Sequence, residues 1–271
     1  ELCWEPGSAQ ADFGQADFIV RGERRRLHYF ELSFPFSNMG YTQVFEGESA
    51  ECVCQGLRDI FERTGGVPPV IVFDNAAGIG RRVADTVKVT ELFSRFQAHH
   101  RFTARFCNVN AGHEKGNVES KVGYVRRNLF VPAPATDSIE DYNRHLLSLC
   151  EKDAGRPHYK KGSSIEALFA QDRARLLPLP LKPFDVVRYE RVTADGYGKV
   201  CADGSHYYST RPDLARKRIT IGLRAGTVEV YDETGALICS HRRVFGKGRS
   251  DSSDAASMLA SLSRKPGAWG E

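Results

Sequence analysis

The 271-residue chain carries 38 Lys and Arg against 34 Asp and Glu, a net charge of +4, and is 41% hydrophobic and 27% charged. These proportions fit a globular protein of two domains, and the mild positive charge permits a nucleic-acid partner without demanding one. No apolar run reaches eighteen residues and no signal peptide is present, which excludes a membrane span. The seven cysteines form no CxxC pair, so we expect reduced thiols in a cytoplasmic protein, without a zinc site or disulfide framework.

The first 107 residues alternate between strand and helix patterns. Strands are predicted over 9–20, 26–34, 40–45, 70–73 and 102–107, and helices over 49–64 and 84–99. The run 70–73 is continuously apolar, as in a central strand buried on both faces. With a further helix after the fifth strand, this order predicts an α/β layer with a mixed five-stranded sheet and flanking helices. It is also the order of the ribonuclease H fold.

The third helix pattern starts near Lys115. It has an apolar stripe at spacings of four, three and four residues, at Val118, Val122, Val125 and Leu129. Glu119 lies beside the stripe near the helix start and Arg126 follows seven residues on, with Lys121 and Arg127 flanking it. A carboxylate at the helix start with basic residues below it suits the binding of a metal-bound phosphate, with nucleic acid lying along the helix. An ordinary surface helix with a favourable Glu near its N-terminus fits the same residues.

Beyond residue 135 the pattern becomes helical and then β-rich. Helices are predicted over 138–153 and 163–175, separated by a basic linker over 155–162. Prolines at Pro178, Pro180 and Pro183 mark a boundary, after which six short strand patterns with Gly turns predict a small β-barrel rich in Arg. The predicted domains are a core (1–135), a helical extension and linker (136–182), the barrel (183–246) and a flexible tail with a possible short helix (247–271).

Three carboxylates occupy related places in these elements. Asp12 lies in the first strand, Asp74 ends the fourth, and Glu119 opens the third helix. If the first strand is central and neighbours the fourth, Asp12 and Asp74 lie side by side, and the Glu119 helix packs across that edge. Three converging carboxylates are ligands for one or two Mg²⁺ or Mn²⁺ ions, and paired ions stabilise both oxygens of an in-line phosphoryl displacement. Asp17 competes with Asp12 for this role.

Two further features admit more than one interpretation. The adjacent His99 and His100, with His113, suggest a transition-metal site, although adjacent histidines rarely share an ion. The Arg-rich barrel suits a solvated surface, a subunit contact or a DNA platform, and we favour DNA because a basic β face binds the phosphate backbone well. No GxxxxGK[ST] motif is present, so nucleotide hydrolysis would belong to a partner.

The order Asp12, Asp74-Asn75, Glu119 resembles the DDE catalytic core of retroviral integrases and bacterial transposases. More narrowly, three segments resemble the IstA-type insertion-sequence transposases: Gln10-Ala11-Asp12-Phe13-Gly14, Gly112-His113-Glu114-Lys115-Gly116-Asn117-Val118-Glu119 and Arg264-Lys265-Pro266-Gly267-Ala268. The resemblance covers nearly the whole chain and is strongest over 4–130. One departure is the gap of 45 residues from Asp74 to Glu119, which is longer than in the retroviral enzymes and which an extended loop before the helix would absorb.

This resemblance implies a metal-dependent polynucleotidyl transferase that joins transposon DNA 3′-hydroxyl ends to target DNA. The implied metal ligands are Asp12, Asp74 and Glu119. The implied DNA contacts are Asn75, Lys115, Asn117, Lys121, Arg126 and Arg127. The family also implies a partner AAA+ ATPase, a homo-oligomer on paired DNA ends, and an N-terminal DNA-binding region that this chain, which we expect to be an excised fragment, lacks.

Two alternatives remain at this stage. One is a transposase-derived module that binds DNA or a partner without catalysis. The other is a nuclease of the same fold that only hydrolyses DNA, since the same carboxylates would activate either water or a DNA 3′-hydroxyl. An intact acidic triad favours an enzyme, because a site without catalytic function would not need all three carboxylates together.

Overall fold

A computed structural model describes residues 4–73, 78–83, 86–107 and 123–253. The chain divides into two compact units, Glu1–Val186 and Val187–Glu271. Of the helices in the described part, none combines the length and the apolar composition needed to cross a membrane.

The first unit is built on a mixed sheet. Its strands are β1 (Ala9–Val20), β2 (Glu23–Phe34), β3 (Met39–Phe45), β4 (Val70–Phe73), β5 (Gly80–Val83), β6 (Thr86–Val89), β7 (Thr103–Phe106) and β8 (Ala135–Thr136). The sheet order is β3-β2-β1-β4-β7, with β8 also paired to β1. β1 runs antiparallel to β2 and parallel to β4. The predicted mixed sheet is therefore confirmed, with β8 as a sixth strand beyond the five expected.

The helices of this unit are α1 (Ala50–Thr64), α2 (Glu91–His100), α3 (123–129), α4 (Ile139–Asp153) and α5 (Ile165–Arg173). The prediction of a helix over 84–99 was wrong in its first half, where β5 and β6 form a hairpin. The helix starts only after Thr90, whose hydroxyl accepts the N–H of Phe93 and caps it. Of the helix predicted from Lys115, only 123–129 lies within the described residues.

Helices cover both faces of the sheet. On one face, Phe18 and Tyr29 pack with Val125 of α3 and Leu146 of α4 in one buried cluster. On the other, α1 lies close to β2, since a Cβ added at Gly56 would fall 2.7 Å from the Phe30 ring. Because side chains alternate along a strand, residues 12, 14, 16 and 18 of β1 share the α3 side. Asp12 is therefore on the sheet face that α3 covers.

Asp172 ties α5 to the turn that precedes β1. It is fully buried, and its Oδ1 accepts the N–H of Gly7 at 2.7 Å. Burial raises the pKa of the Asp172 carboxyl, opposed by the hydrogen bonds from Gly7 and Ser37. The folded chain therefore takes up a proton more readily than the unfolded chain, whose carboxyl titrates near 3.8. The Asp172 contribution to stability falls as the pH rises from 3.8 through the raised pKa.

Replacing Asp172 by Asn removes this titration while keeping an oxygen acceptor for the Gly7 N–H. We expect the free energy of unfolding of Asp172→Asn, relative to wild type, to increase between about pH 4 and pH 7. Urea denaturation at both pH values measures this difference, with Asp137→Asn at an exposed position as the control. A difference that is the same at both pH values would contradict the role of Asp172.

The described part of the second unit is built mainly from short strands. They are β9 (Arg188–Thr193), β10 (Lys199–Ala202), β11 (His206–Ser209), β12 (Arg218–Leu223), β13 (Thr227–Tyr231), β14 (Leu237–Arg242) and β15 (Ser250–Ser252). They form a four-stranded sheet, β14-β13-β12-β9, and a three-stranded sheet, β10-β11-β15. Their facing sides share a buried core that includes Val200, Tyr208, Ile221 and Val228. These described strands do not close into one sheet, so the predicted barrel is not confirmed.

β15 lies inside the segment that was expected to be a flexible tail from residue 247. It runs parallel to β11, and His206 fixes it there. The Nδ1 of His206 lies 2.8 Å from the Ser250 hydroxyl, and its Nε2 lies 3.0 Å from the Gly246 carbonyl oxygen. The short helix considered for the tail falls outside the described residues.

Candidate functional site

Asp12 lies on the central strand, where the parallel strand β4 ends. Ala11 pairs with Phe73, the last residue of β4, while β1 continues for nine more residues to Val20. The Asp12 carboxylate is half-buried, and its Oδ1 accepts the N–H of Phe13 at 2.7 Å. The position at a strand end confirms the sequence-based expectation that the first strand is central and neighbours the fourth.

Glu31 faces Asp12 across the β1–β2 hairpin, and sequence reasoning missed it. The register pairs Asp12 with Glu31 directly, which places their Cβ atoms about 4.5–5.5 Å apart on one face of the sheet. Glu31 is only 2% exposed. The signal was available in the sequence: the Arg21-Gly22 turn, with both residues at positive φ, joins Val20 to Glu23 and so fixes which residues face each other.

Tyr29 and Arg126 complete the described surroundings of these carboxylates. The Tyr29 ring lies over Gly14, where an added Cβ would come within 2.2 Å of it. Burial raises the pKa of the Tyr29 phenol, as do the nearby Glu31 and Asp12 charges, while the Arg126 guanidinium acts in the opposite direction. Arg126 is exposed on α3, and its positive charge acts on the Tyr29 phenol.

The remaining predicted site residues divide into two groups. Arg127 is described: it is exposed on α3, and its guanidinium lies over Gly123. Outside the described residues are Asp74, Asn75, Lys115, Asn117, Glu119 and Lys121. Within the described ranges, no three His, Cys, Asp or Glu side chains are grouped so that they could hold a metal ion. The described structure thus contains one of the three expected metal ligands.

Sequence analysis also considered Asp17 as a metal ligand and His99 and His100 as part of a transition-metal site. In the structure these three side chains contact other groups. Asp17 pairs with Arg24 at 2.7 Å, and its odd separation from Asp12 puts it on the opposite face of the sheet. His100 is buried, with its Nδ1 2.9 Å from the Phe96 carbonyl oxygen, and burial lowers the pKa of its imidazole. The Nε2 of His99 lies 2.9 Å from the Lys182 carbonyl oxygen. His113 lies outside the described residues.

A small pocket opens beside Asp12, on the α1 side of the sheet. Its volume is about 110 Å³, and it is lined by Ala11, Asp12, Phe13, Phe30, Glu48, Val53, Phe73 and Ile79. Most of this lining is apolar, and the carboxylate of Glu48 is already paired with His28 at 2.7 Å. The pocket therefore lies between Asp12 on the sheet and Val53 on α1, and it offers few polar groups for binding a ligand.

Comparison with known proteins gives relatives along almost the whole chain. Residues 179–252 match the Mu transposase C-terminal domain. A transposase of Aminobacter aminovorans is 29% identical, over 98% of this chain and 54% of its own length. The Pseudomonas aeruginosa transposase for insertion sequences IS1326/IS1353 is 26% identical, over 96% of this chain and 52% of its own length. Along nearly its whole length, this chain is therefore similar to insertion-sequence transposases.

This chain spans about half the length of the curated relatives that it matches. Among solved structures, a simian T-cell lymphotropic virus intasome has 15% sequence identity and a TM-score of 0.46, covering 90% of this chain and 81% of that chain. The similarity to transposases rests on the sequence relatives.

Proposed function

We propose that this chain is the catalytic part of an insertion-sequence transposase, a metal-dependent polynucleotidyl transferase that joins transposon 3′-hydroxyl ends to target DNA. The observation that carries the proposal is the position of Asp12 on the central strand, one residue beyond the pairing of Ala11 with Phe73. Asp74 directly follows Phe73 in the sequence. For this reason we propose Asp74 as the second ligand of a metal site shared with Asp12.

The donor set fits a hard divalent cation. Asp12, Asp74 and Glu119 supply only carboxylate oxygens, which are the ligands that Mg²⁺ and Mn²⁺ take. One or two bound Mg²⁺ or Mn²⁺ ions would supply Lewis-acid activation of a DNA 3′-hydroxyl or of water. Glu31, buried beside Asp12, adds a further carboxyl group to this edge.

The protein's own side chains position the DNA. Arg126 and Arg127 are exposed on α3 and are suited to phosphate contacts, which orient a duplex without reading its sequence. The proposed contacts outside the described residues are Asn75, Lys115, Asn117 and Lys121. Because no enzyme-bound covalent intermediate is needed, the proposed reaction uses no Ser, Tyr or Cys nucleophile.

The proposals for the two units and for their partners follow from the similarity to the named transposases. We propose a ribonuclease H-like arrangement for the first unit, since its sheet order β3-β2-β1-β4-β7 places Asp12 centrally. The second unit is proposed as a DNA-binding module related to a small β-barrel. The proposed partners are transposon-end DNA, target DNA, further copies of the same chain and an AAA+ ATPase helper, all acting in the bacterial cytoplasm.

The test is Mn²⁺ titration calorimetry on this chain beside Asp74→Asn and Glu119→Gln, each with and without a DNA duplex. We expect both variants to lose at least about tenfold in Mn²⁺ affinity, because each removes a charged oxygen ligand. Asp17→Asn, on the opposite sheet face, is the control and should bind as wild type does. Equal Mn²⁺ binding by wild type and both variants, in the presence of DNA as well, would overturn the triad.

Products of the metal-loaded chain distinguish the alternatives. Joined DNA products support strand transfer, whereas nicked products alone would indicate the hydrolysis-only nuclease. DNA binding without either product, in a chain that binds no metal, would indicate the non-catalytic module.

A further inference from the structure

The outer face of the sheet β14-β13-β12-β9 has an unusual composition for a solvated surface. Alternate residues of these strands point away from the core of the second unit. On β9, β12 and β13 they are Tyr189, Arg191, Thr193, Arg218, Thr220, Gly222, Thr227, Glu229 and Tyr231, and Arg242 of β14 lies opposite Thr227. Two aromatic rings, three arginines and three threonines thus lie on one surface. We call the surface formed by Tyr189, Arg191, Arg218 and Tyr231 the Tyr–Arg face.

The two arginines of this face are neighbours without acidic partners. Arg191 pairs with Thr220 and Arg218 pairs with Thr193 across the β9–β12 ladder, so their side chains are diagonal neighbours about 7–8 Å apart at Cα. Both are exposed. Neither forms an ion pair within the described part of the chain. Their charges are therefore available to an external anion.

Other arginines of the second unit show the contrast. Arg188 lies 3.1 Å from Asp203, Arg211 lies 3.2 Å from Asp213, and Arg224 lies 2.8 Å from Glu229. Each of these guanidinium groups is neutralised by a carboxylate of the same unit. Arg191 and Arg218 differ from these three arginines in having no carboxylate partner among the described residues.

The aromatic pair depends on a glycine in the middle of a strand. The rings of Tyr189 and Tyr231 are 5.9 Å apart at 64°. A Cβ added at Gly222 would lie 3.0 Å from the Tyr231 ring and 3.4 Å from the Tyr189 ring. A strand-interior glycine costs stability and usually marks a close approach, here of two rings. Tyr189 stays 55% exposed, which leaves its ring open to a ligand.

The charge of the chain is concentrated in this unit. Residues 187–253 contain twelve Lys and Arg and eight Asp and Glu, a net charge of +4, whereas residues 1–186 contain twenty-four of each and are neutral. The second unit therefore carries the full net charge of the chain. A polyanion is the partner whose charge complements it.

We infer that the Tyr–Arg face binds the phosphate backbone of duplex DNA. Arg191 and Arg218 donate to phosphate oxygens, with the Thr193 and Thr220 hydroxyls beside them. The exposed Tyr189 ring packs against the sugar edge of the strand. These contacts orient the duplex without reading its sequence. The inference rests on the proposed function in taking DNA as the ligand, but it requires neither metal nor catalysis.

The experiment measures binding of the whole chain to a labelled duplex of arbitrary sequence, by fluorescence anisotropy over a salt series with EDTA present. The double variant Arg191→Gln/Arg218→Gln is compared with wild type. We expect the slope of log affinity against log salt to fall by about 2, because roughly 0.9 counterion is released per phosphate contact. Tyr189→Ala is expected to weaken binding with an unchanged salt slope, since it removes packing and no charge.

Arg211→Gln is the matched control, because that arginine is equally exposed but is neutralised by Asp213. It should keep the wild-type slope. Wild-type slope and affinity in the double variant would overturn the inference. So would a double variant that binds DNA normally but loses self-association in light scattering, because the face would then be a protein interface.

Measuring DNA binding in EDTA distinguishes failure of this inference from failure of the proposed function, because the proposed carboxylate site then holds no metal. Without DNA, Arg191→Gln/Arg218→Gln should keep the wild-type Mn²⁺ affinity, because neither arginine is a proposed metal ligand. Loss of the salt-dependent binding in Arg191→Gln/Arg218→Gln alone therefore supports the Tyr–Arg face even if the triad is wrong.

Discussion

Replacing Asp12 by Asn is expected to abolish strand transfer while leaving the fold intact. The proposed mechanism uses this carboxylate as a metal ligand, and metal ligation contributes several kcal/mol of transition-state stabilisation, so we expect a loss of at least about 10³-fold in rate. The fold should survive, because an Asn oxygen can still accept the Phe13 N–H that Asp12 accepts at 2.7 Å. The measurement is the rate of joining of a 3′-hydroxyl DNA end to target DNA with Mg²⁺ or Mn²⁺.

Glu31→Gln is a second variant whose loss of strand-transfer rate can be compared with that of Asp12→Asn. Glu31 faces Asp12 and is buried, so its carboxyl group lies at the same edge without belonging to the proposed triad. We expect a smaller loss than in Asp12→Asn, of about tenfold, because Glu31 is a neighbour of the proposed ligands and not one of them. An Asp12→Asn variant that joins DNA at the wild-type rate, with unchanged circular dichroism, would exclude Asp12 as a ligand.

The strands near Asp12 were predictable because their signals are local. The apolar run 70–73 predicted a buried central strand, and β4 occupies Val70–Phe73 between β1 and β7. The two-residue turn at Arg21-Gly22 separates two long strand patterns and sets their register. The same local rule contained the pairing of Asp12 with Glu31, which required only counting back from the turn.

Non-local or overlapping signals were harder to interpret. Val89, Leu92, Phe93 and Phe96 share a helical period, which hid the strand β6 and the cap at Thr90. The sequence patterns of the second unit predicted which residues form strands, but not which strands pair with each other. The pairing of the strands determines whether a sheet closes into a barrel. β15 pairs with β11 over more than forty residues of sequence, and no local pattern encodes such a pairing.

The residues of the candidate site were likewise predictable only in part from the sequence. The central position of Asp12 depends on the parallel pairing of β1 with β4, between residues separated by 62 positions at Ala9 and Ile71. The fold-level order of elements predicted this pairing correctly. The assignments of Asp74 and Glu119 as metal ligands rest on the motif order and stay predictions.

Removing the Arg243 side chain is expected to unfold the second unit at a much lower temperature. Arg243 is only 2% exposed, and its Nε and Nη2 donate to Asp203 at 3.1 and 2.9 Å. Its Nη1 donates to the Arg224 carbonyl oxygen at 2.8 Å, and the guanidinium lies 4.7 Å from the centre of the Phe245 ring. Breaking such a buried pair by removing one partner costs about 3–5 kcal/mol.

For a domain of this size, each kcal/mol shifts the unfolding midpoint by about 4–8 °C. We therefore expect Arg243→Ala to lower the midpoint of the second unit by at least about 12 °C in scanning calorimetry. Arg211→Ala removes an exposed pair with Asp213 and should cost less than about 1 kcal/mol. Asp203→Asn should fall between them, because the amide oxygen still accepts from Arg243 and the left-handed backbone of Asp203 (φ 49) suits Asn. Equal midpoints for Arg243→Ala and Arg211→Ala would show that the buried guanidinium does not hold this unit together.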